Sequence, residues 1–214
     1  MFGMNLEELA RSLVLSAPAI LFGLTIHEFS HGYVAWRLGD PTARSMGRLT
    51  LNPLKHLDPI GTIFLFLFRF GWAKPVPIDP SFFKHPDRDM AISSLAGPAS
   101  NLLVAAVAGL IVRLLVLLGV SGFPVTVLNY FVLFNLILCF FNLIPIPPLD
   151  GSRLVYYFLP PNLAAGYAKL ERYGFMILIG VIFVGRLLGF SLIWLYLAPL
   201  VRLFSGLFGG QSMI

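Results

Sequence analysis

The hydrophobic and polar positions of this chain form long uncharged stretches separated by short charged segments. Long stretches without a charged residue include 12–26, 92–112 and 114–149. A helix that crosses a bilayer needs about 20 apolar residues, because its backbone polar groups must be bonded within the segment. The pattern predicts helices at about 8–38, 88–119, 125–146 and 170–189, and a fifth candidate at 190–208 that either spans or lies at the interface.

The composition favours a membrane protein. Charged residues make up 12% of the 214 residues and the mean hydropathy is +0.85, whereas soluble domains average about 25% charged residues. This deficit excludes a soluble globule, a disordered chain and a basic nucleic-acid binder. The single cysteine, Cys139, excludes an internal disulfide framework and a cysteine-based zinc site.

We therefore predict an all-α fold, a polytopic membrane helix bundle of about four to six transmembrane segments. It forms a single domain over 1–214, with a catalytic core at about 8–155 and C-terminal helices at about 165–208. Residues 59–70 are too few to cross the bilayer as a helix, so a short re-entrant or β-like element is expected after the first helix.

Charge placement predicts the orientation in the membrane. If the first helix ends inside and residues 59–70 do not cross, 11 of the 15 Lys and Arg residues lie inside, as the positive-inside rule requires. The chain is then a multi-pass protein of the cell membrane, of the prokaryotic plasma-membrane type. Glu7 and Glu8 stand where a signal peptide carries positive charge, so the first apolar segment is expected to remain as a helix of the mature protein.

The charged sequence His27-Glu28-Phe29-Ser30-His31 follows the first uncharged stretch. On a helix, positions 27 and 31 share one face, so both imidazoles can reach one zinc ion, with Glu28 placed to accept a proton from water. The alternative interpretation is a set of hydrogen-bonded polar core residues. Inside a membrane each buried ionisable group costs about 2.5–3.5 kcal/mol, which favours a bound cation.

A catalytic zinc site needs a third protein ligand. Asp150 follows 36 uncharged residues, the last of which include Pro145, Pro147 and Pro148, and these prolines interrupt a regular helix. In the chosen orientation this break lies toward the inner face, at the depth of the two histidines, so Asp150 is the predicted third ligand and the site lies nearer the cytoplasmic face. The alternative is an ordinary helix-end aspartate in a turn before Gly151.

These motifs resemble the site-2 protease family of intramembrane zinc metalloproteases. The resemblance rests on the His27–His31 sequence and on Asn142-x-x-Pro-x-Pro-Pro-Leu-Asp150-Gly. Further matching motifs begin at Asn52 (Asn-Pro-x-x-His-x-Asp-Pro-x-Gly), Gly71 (Gly-Trp-Ala-Lys-Pro-Val-Pro) and Gly97 (Gly-Pro-x-x-Asn). They are most similar to the compact prokaryotic form without a PDZ domain.

The resemblance implies one zinc ion per chain, held by His27, His31 and Asp150, with Glu28 as general base. It also implies that Asn142 helps to bind the substrate or its tetrahedral intermediate, although a hydrogen bond between helices explains this residue equally well without the resemblance. Four residues of the further motifs are assigned to substrate or transition-state binding: His56, Lys74, Pro75 and Asn101.

The expected activity is hydrolysis of a peptide bond in or near the transmembrane segment of a single-span membrane-protein substrate, as in regulated intramembrane proteolysis. Ser45–Leu51 and Lys74–Ile78 are candidates for an exposed strand edge that holds an extended substrate; from the residues alone, an irregular loop is favoured. The alternative function is a membrane metal-ion transporter or sensor that uses the same ligands without hydrolysis. Glu28 discriminates, because only a hydrolase needs its charge.

Overall fold

The computed structural model describes residues 6–61, 63 and 71–209. All regular secondary structure in this part of the chain is helical. The α-helices are α1 (Leu6–Arg37), α2 (Thr42–Ser45), α3 (Pro86–Leu117), α4 (Phe123–Asn142), α5 (Gly151–Phe158), α6 (Pro161–Ala168), α7 (Gly174–Leu187) and α8 (Leu192–Phe208). Short 3-10 helices occupy Pro53–Lys55, Pro80–Phe82 and Glu171–Tyr173.

The long helices lie where the hydrophobic pattern predicted them, with differences at their ends. Helix α4 ends at Asn142, four residues before the predicted end at 146. The cause is Pro145, which lacks an N–H and disfavours helical backbone in the residue before it. The predicted helix 170–189 is a 3-10 turn followed by α7. The short helices α5 and α6 were not predicted.

The core forms where α4 packs against α1, α3 and α8. Small residues of α3, including Ala105 and Ala108, meet larger side chains of α4, and α8 closes the other side of this core. The buried cluster consists of Ala105, Ala108, Val132, Leu136, Cys139, Phe140, Leu197 and Val201. This packing fixes α4 beside α1, and so sets the position of the loop that leaves the end of α4.

Two described helices are long and apolar enough to cross a bilayer, α3 and α4. The outward face of α3 is itself apolar: Leu103 and Leu110 are about two-thirds exposed, and Leu117 is 83% exposed. A water-soluble helix carries polar residues on its outer face. These two helices and this apolar face fit a helical membrane protein, and the number of transmembrane segments stays a prediction.

The segment between α1 and α3 is irregular. The predicted re-entrant residues 59–70 lie mostly outside the described part, of which residues 59–61 and 63 are helical. Neither candidate for a strand edge, Ser45–Leu51 or Lys74–Ile78, forms a strand among the described residues, which agrees with the irregular loop that the residues alone favoured. One antiparallel bridge joins Leu57 and Ala73.

The physical reason lies in the hydrogen bonding of the second of these stretches. Pro75 and Pro77 have no backbone N–H. The N–H of Lys74 donates to the His56 carbonyl (2.8 Å), and the N–H of Val76 donates to a side chain of α1. The stretch is thus tied to its surroundings at alternate residues, and a strand ladder cannot form along it.

Candidate metal centre

The two histidines of α1 face the same point. Their Nε2 atoms are 2.9 Å apart and their rings meet edge to face, with centroids separated by 4.5 Å. This arrangement follows from the spacing of four residues on a helix. Both rings are buried, with His27 4% and His31 7% exposed.

The third side chain arrives from the loop after α4. This loop runs over 143–150. It turns so tightly that a Cβ at Gly151 would overlap the carbonyl group of Leu143. The turn places the Oδ2 atom of Asp150 at 3.1 Å from His27 Nε2 and 3.3 Å from His31 Nε2. The structure therefore brings His27, His31 and Asp150 together, although Asp150 is 119 residues beyond His31 in the sequence.

The outer nitrogen of each imidazole is held by α3. His27 Nδ1 lies 2.6 Å from Asn101 Oδ1, and His31 Nδ1 lies 2.7 Å from the carbonyl oxygen of Ser93. Both partners are acceptors, so each Nδ1 carries the proton and each Nε2 presents a lone pair toward Asp150. Metal-binding histidines are typically held by such an outer hydrogen bond, which fixes the tautomer and the ring direction.

A zinc ion fits this group of atoms. Asp150 Oδ2 is buried, and the two imidazole Nε2 atoms lie beside it at 3.1 and 3.3 Å, so three potential ligand atoms converge on one point. Ligands of tetrahedral zinc at about 2.0–2.1 Å lie about 3.3 Å from one another, close to the separations of 2.9–3.3 Å seen here. Two histidines and a carboxylate leave a fourth position open, as in catalytic zinc sites.

Gly97 of α3 provides the space beside the histidines. A Cβ at this position would stand 2.6 Å from both His27 Cε1 and His31 Cε1, and nearer still to His31 Nε2. Any larger residue would therefore occupy the space of the imidazole rings. Glycine allows α3 to approach α1 closely enough for the hydrogen bonds to Asn101 and Ser93.

Glu28 lines one cavity together with His27, His31 and Asp150. Its Oε2 atom accepts a hydrogen bond of 2.8 Å from the backbone N–H of Val76. The segment that carries Val76 is held by Arg48, which donates to the carbonyl oxygens of Lys74 (2.9 Å) and Pro75 (3.3 Å). The cavity has a volume of about 270 Å³. It is lined by His27, Glu28, His31, Pro75, Val76, Ile78, Met90, Ser94, Asn142, Pro148, Asp150 and Arg153.

The remaining predicted site residues occupy different places. Asn142 and Pro75 line the cavity, and the Asn142 amide donates to the Leu138 carbonyl of its own helix (2.9 Å). Lys74 and His56 are absent from the lining; His56 is 1% exposed and bonds the Thr50 carbonyl through Nε2 (2.8 Å). Their roles in substrate binding stay predictions.

Asn101 is fully buried and contacts a histidine. The structure therefore places it behind the metal centre, on the far side of the His27 ring from Asp150. From this position it orients His27.

Sequence reasoning missed several residues that build the site. Arg48 and the Val76 N–H act through backbone contacts: Arg48 lies outside the matching motifs, and Val76 lies within the motif that begins at Gly71 but was assigned no role. Asn135 of α4, which contacts Asn101, did leave a signal: it is an amide side chain within the uncharged stretch 114–149. A polar group at such a position needs a partner, because its burial without one is costly.

The two histidines, the carboxylate and the adjacent Glu28 together define a zinc-hydrolase type of centre in a helical membrane protein. The comparisons with known proteins agree with this class. A profile of Peptidase family M50 matches residues 120–185, which include Asn142 and Asp150. A protein of Bacillus subtilis (strain 168) with the name "Putative zinc metalloprotease YwhC" is 40% identical over 199 residues, which cover 88% of this chain and 90% of that protein.

Two mycobacterial proteins with the name "Putative zinc metalloprotease Rip2" are also similar. The Mycolicibacterium smegmatis protein is 33% identical, over 78% of this chain and 65% of its own length. The Mycobacterium tuberculosis protein is 32% identical, over 74% of this chain and 62% of its own length. No solved structure matches the chain. The chain belongs to peptidase family M50, the membrane-embedded site-2 protease family of zinc metalloproteases.

Proposed function

We propose that this chain is an intramembrane zinc metalloendopeptidase that cleaves a peptide bond in or near a transmembrane segment of a single-span membrane protein, in regulated intramembrane proteolysis. His27, His31 and Asp150 bind the zinc ion and Glu28 is the general base. The observation that carries the proposal is the convergence of three ligand atoms beside Glu28, in one cavity, on helices with apolar outer faces.

Each group at the site has a separate role in hydrolysis. Zinc, when bound, lowers the pKa of water toward neutrality and polarises the scissile carbonyl group. Glu28 accepts the proton of the attacking water and delivers it to the leaving amine. The Val76 N–H holds one carboxylate oxygen of Glu28 and so fixes the direction of the other. Asn142 lines the cavity, and its amide donates one hydrogen bond to the Leu138 carbonyl. The proposal assigns the second N–H of this amide to stabilising the developing oxyanion.

A second cavity supports a path for an extended substrate. It has a volume of about 370 Å³ and adjoins the catalytic cavity, since Ile78, Met90 and Arg153 line both. Its far side is formed by α5 and α6, including Tyr156 and Tyr167. A substrate helix must be extended before its carbonyl groups can be attacked, and in the proposal the adjoining cavity accommodates residues next to the scissile bond.

The proposed orientation places the metal centre nearer the cytoplasmic face. The C-terminal end of α4 and the loop to Asp150 lie on the side where the basic residues cluster. The turn between α3 and α4 lies on the other side, and residues 119–125 carry no charge. The positive-inside rule then assigns the histidine end of α1 to the cytoplasmic side.

The test is cleavage of a single-span reporter helix by the purified protein in detergent. Three samples are compared: the parent protein, the same protein with a chelator, and the Glu28→Gln variant. The proposal predicts cleavage only in the first sample, restored to the second by added zinc. Equal cleavage in all three samples would refute it.

The second candidate function, metal transport or sensing, is favoured by the same ligand set. Additional charged residues along a path across the membrane would favour transport, and the runs 92–112 and 114–149 contain none. Uptake of zinc into proteoliposomes that is equal for the parent and Glu28→Gln, without reporter cleavage, would select this alternative.

A further inference from the structure

A chain of two amide side chains connects α4 to the metal centre. Asn135 of α4 and Asn101 of α3 are both 0% exposed. The Nδ2 group of Asn101 donates one hydrogen bond to Asn135 Oδ1 (2.9 Å) and one to the Gly23 carbonyl of α1 (3.0 Å). Asn135 Nδ2 in turn donates to the Phe131 carbonyl of its own helix (2.9 Å), which directs Asn135 Oδ1 toward Asn101.

These bonds fix the direction of the Asn101 amide. Both of its N–H groups have acceptors, so its Oδ1 atom is the one that faces His27 Nδ1 at 2.6 Å. The proton of the neutral imidazole then lies on Nδ1, and the lone pair of Nε2 points to Asp150. With the amide reversed, an N–H₂ group would face Nδ1, the proton would move to Nε2, and His27 could not bind a metal ion.

The packing of α1 against α4 gives Asn135 its access to this position. A Cβ at Gly23 would stand 2.9 Å from Asn135 Oδ1 and 2.8 Å from Leu138 Cδ1. Gly23 lies four residues before His27, on the same face of α1. Because Gly23 has no Cβ, the side-chain amide of Asn135 can reach Asn101, which contacts the metal ligand His27.

We propose that Asn135 is a positioning residue for the metal centre, which sets the proton position and ring direction of His27 through the amide of Asn101. It touches neither the metal site nor the catalytic cavity. The inference concerns metal binding and stands whether or not the chain cleaves peptides. A purely structural hydrogen bond between helices, the competing explanation, contributes only about 0.6–2 kcal/mol and would alter stability alone.

The experiment measures zinc affinity of the full-length protein in detergent, by competition with a chromogenic chelator. The variant Asn135→Leu removes the acceptor at similar volume. Asn129→Leu is the matched control: it makes the same change at a buried asparagine of α4, six residues or about 9 Å along the helix. Leu136→Ala is the stability control, because it opens a cavity in the core next to Asn135 in the sequence.

Loss of an outer hydrogen-bond partner typically lowers metal affinity by about 10–100-fold. We expect this loss for Asn135→Leu, and less than about threefold change for the two controls. The ligand-field spectrum of the cobalt-loaded protein should also change for Asn135→Leu only. Parental affinity of Asn135→Leu, or an equal fall in all three variants, would overturn the proposal.

The variant Gly23→Ala tests the same contact if Asn135→Leu does not fold. Alanine favours helix by about 1 kcal/mol over glycine, so α1 itself is not weakened. The added methyl group displaces the Asn135 amide, and zinc affinity is expected to fall at least about tenfold. Unchanged affinity of folded Gly23→Ala would overturn the proposal as well.

Discussion

The substitution Gly97→Ala adds one methyl group to α3 at the point where that helix faces the two histidines. The new Cβ would lie 2.6 Å from both His27 Cε1 and His31 Cε1. Ordinary contact of such atoms begins at about 3.4 Å, so the His27 ring must move by about 0.8 Å and the His31 ring, whose Nε2 atom is nearer still, by more, or the two helices must separate by a similar distance.

A movement of this size is large for a metal centre. Ligand atoms of zinc sites lie within about 0.2 Å of their ideal distances, and a displacement of about 1 Å at a reacting centre costs about 100-fold in rate. We therefore expect the kcat/KM of reporter cleavage to fall at least about 100-fold, which corresponds to about 2.7 kcal/mol. Zinc affinity should fall by at least about tenfold.

The assay measures zinc affinity and reporter cleavage of Gly97→Ala beside Gly180→Ala. Gly180 also lies within a helix, α7, but a Cβ there meets no atom within 4 Å. Both substitutions favour helix by about 1 kcal/mol, so the thermal stability of the zinc-free proteins should not fall in the control. If Gly97→Ala binds zinc and cleaves the reporter like Gly180→Ala, the close approach of α3 to the histidines is not part of the site.

Three further results are expected. Asp150→Asn replaces a charged ligand by a neutral amide and should lower zinc affinity at least about tenfold; chelator competition on the folded variant measures this, and unchanged affinity would remove Asp150 from the ligand set. Arg48→Ala releases the segment whose Val76 N–H holds Glu28, so kcat should fall about tenfold at constant zinc affinity. A fall in both kcat and zinc affinity would contradict the view that Arg48 acts through Glu28. Zinc at 100 times its Kd should stabilise the folded protein by about 2.7 kcal/mol, seen as a higher Tm for the parent and a smaller rise for Asp150→Asn.

The parts of the site that could be predicted from the sequence are those set by local geometry. His27 and His31 share a helix face because of their spacing alone. The proline-rich break before Asp150 marks where unwound backbone must enter the protein. The long uncharged runs predicted the positions of α1, α3 and α4. In lipid, an apolar segment of that length forms a helix because its backbone polar groups must be bonded within the segment.

The parts that could not be predicted depend on how the helices rotate against one another. Asn101 was expected to bind the substrate, but the rotation of α3 places it behind His27, where it meets Asn135. The stretch Lys74–Ile78 was a candidate strand, yet its hydrogen bonds go to Arg48, Glu28 and His56. Such contacts join residues far apart in the sequence, so no regular spacing of residues along the chain predicts them.

The central claim is that His27, His31 and Asp150 hold one zinc ion. Metal analysis together with zinc X-ray absorption spectroscopy of the purified protein tests it most directly. One zinc ion per chain, with two imidazole nitrogens and a carboxylate oxygen in the parent and one imidazole fewer in folded His31→Ala, is the predicted result. A zinc environment that His31→Ala leaves unchanged, or a folded parent protein that does not retain zinc, would contradict the account.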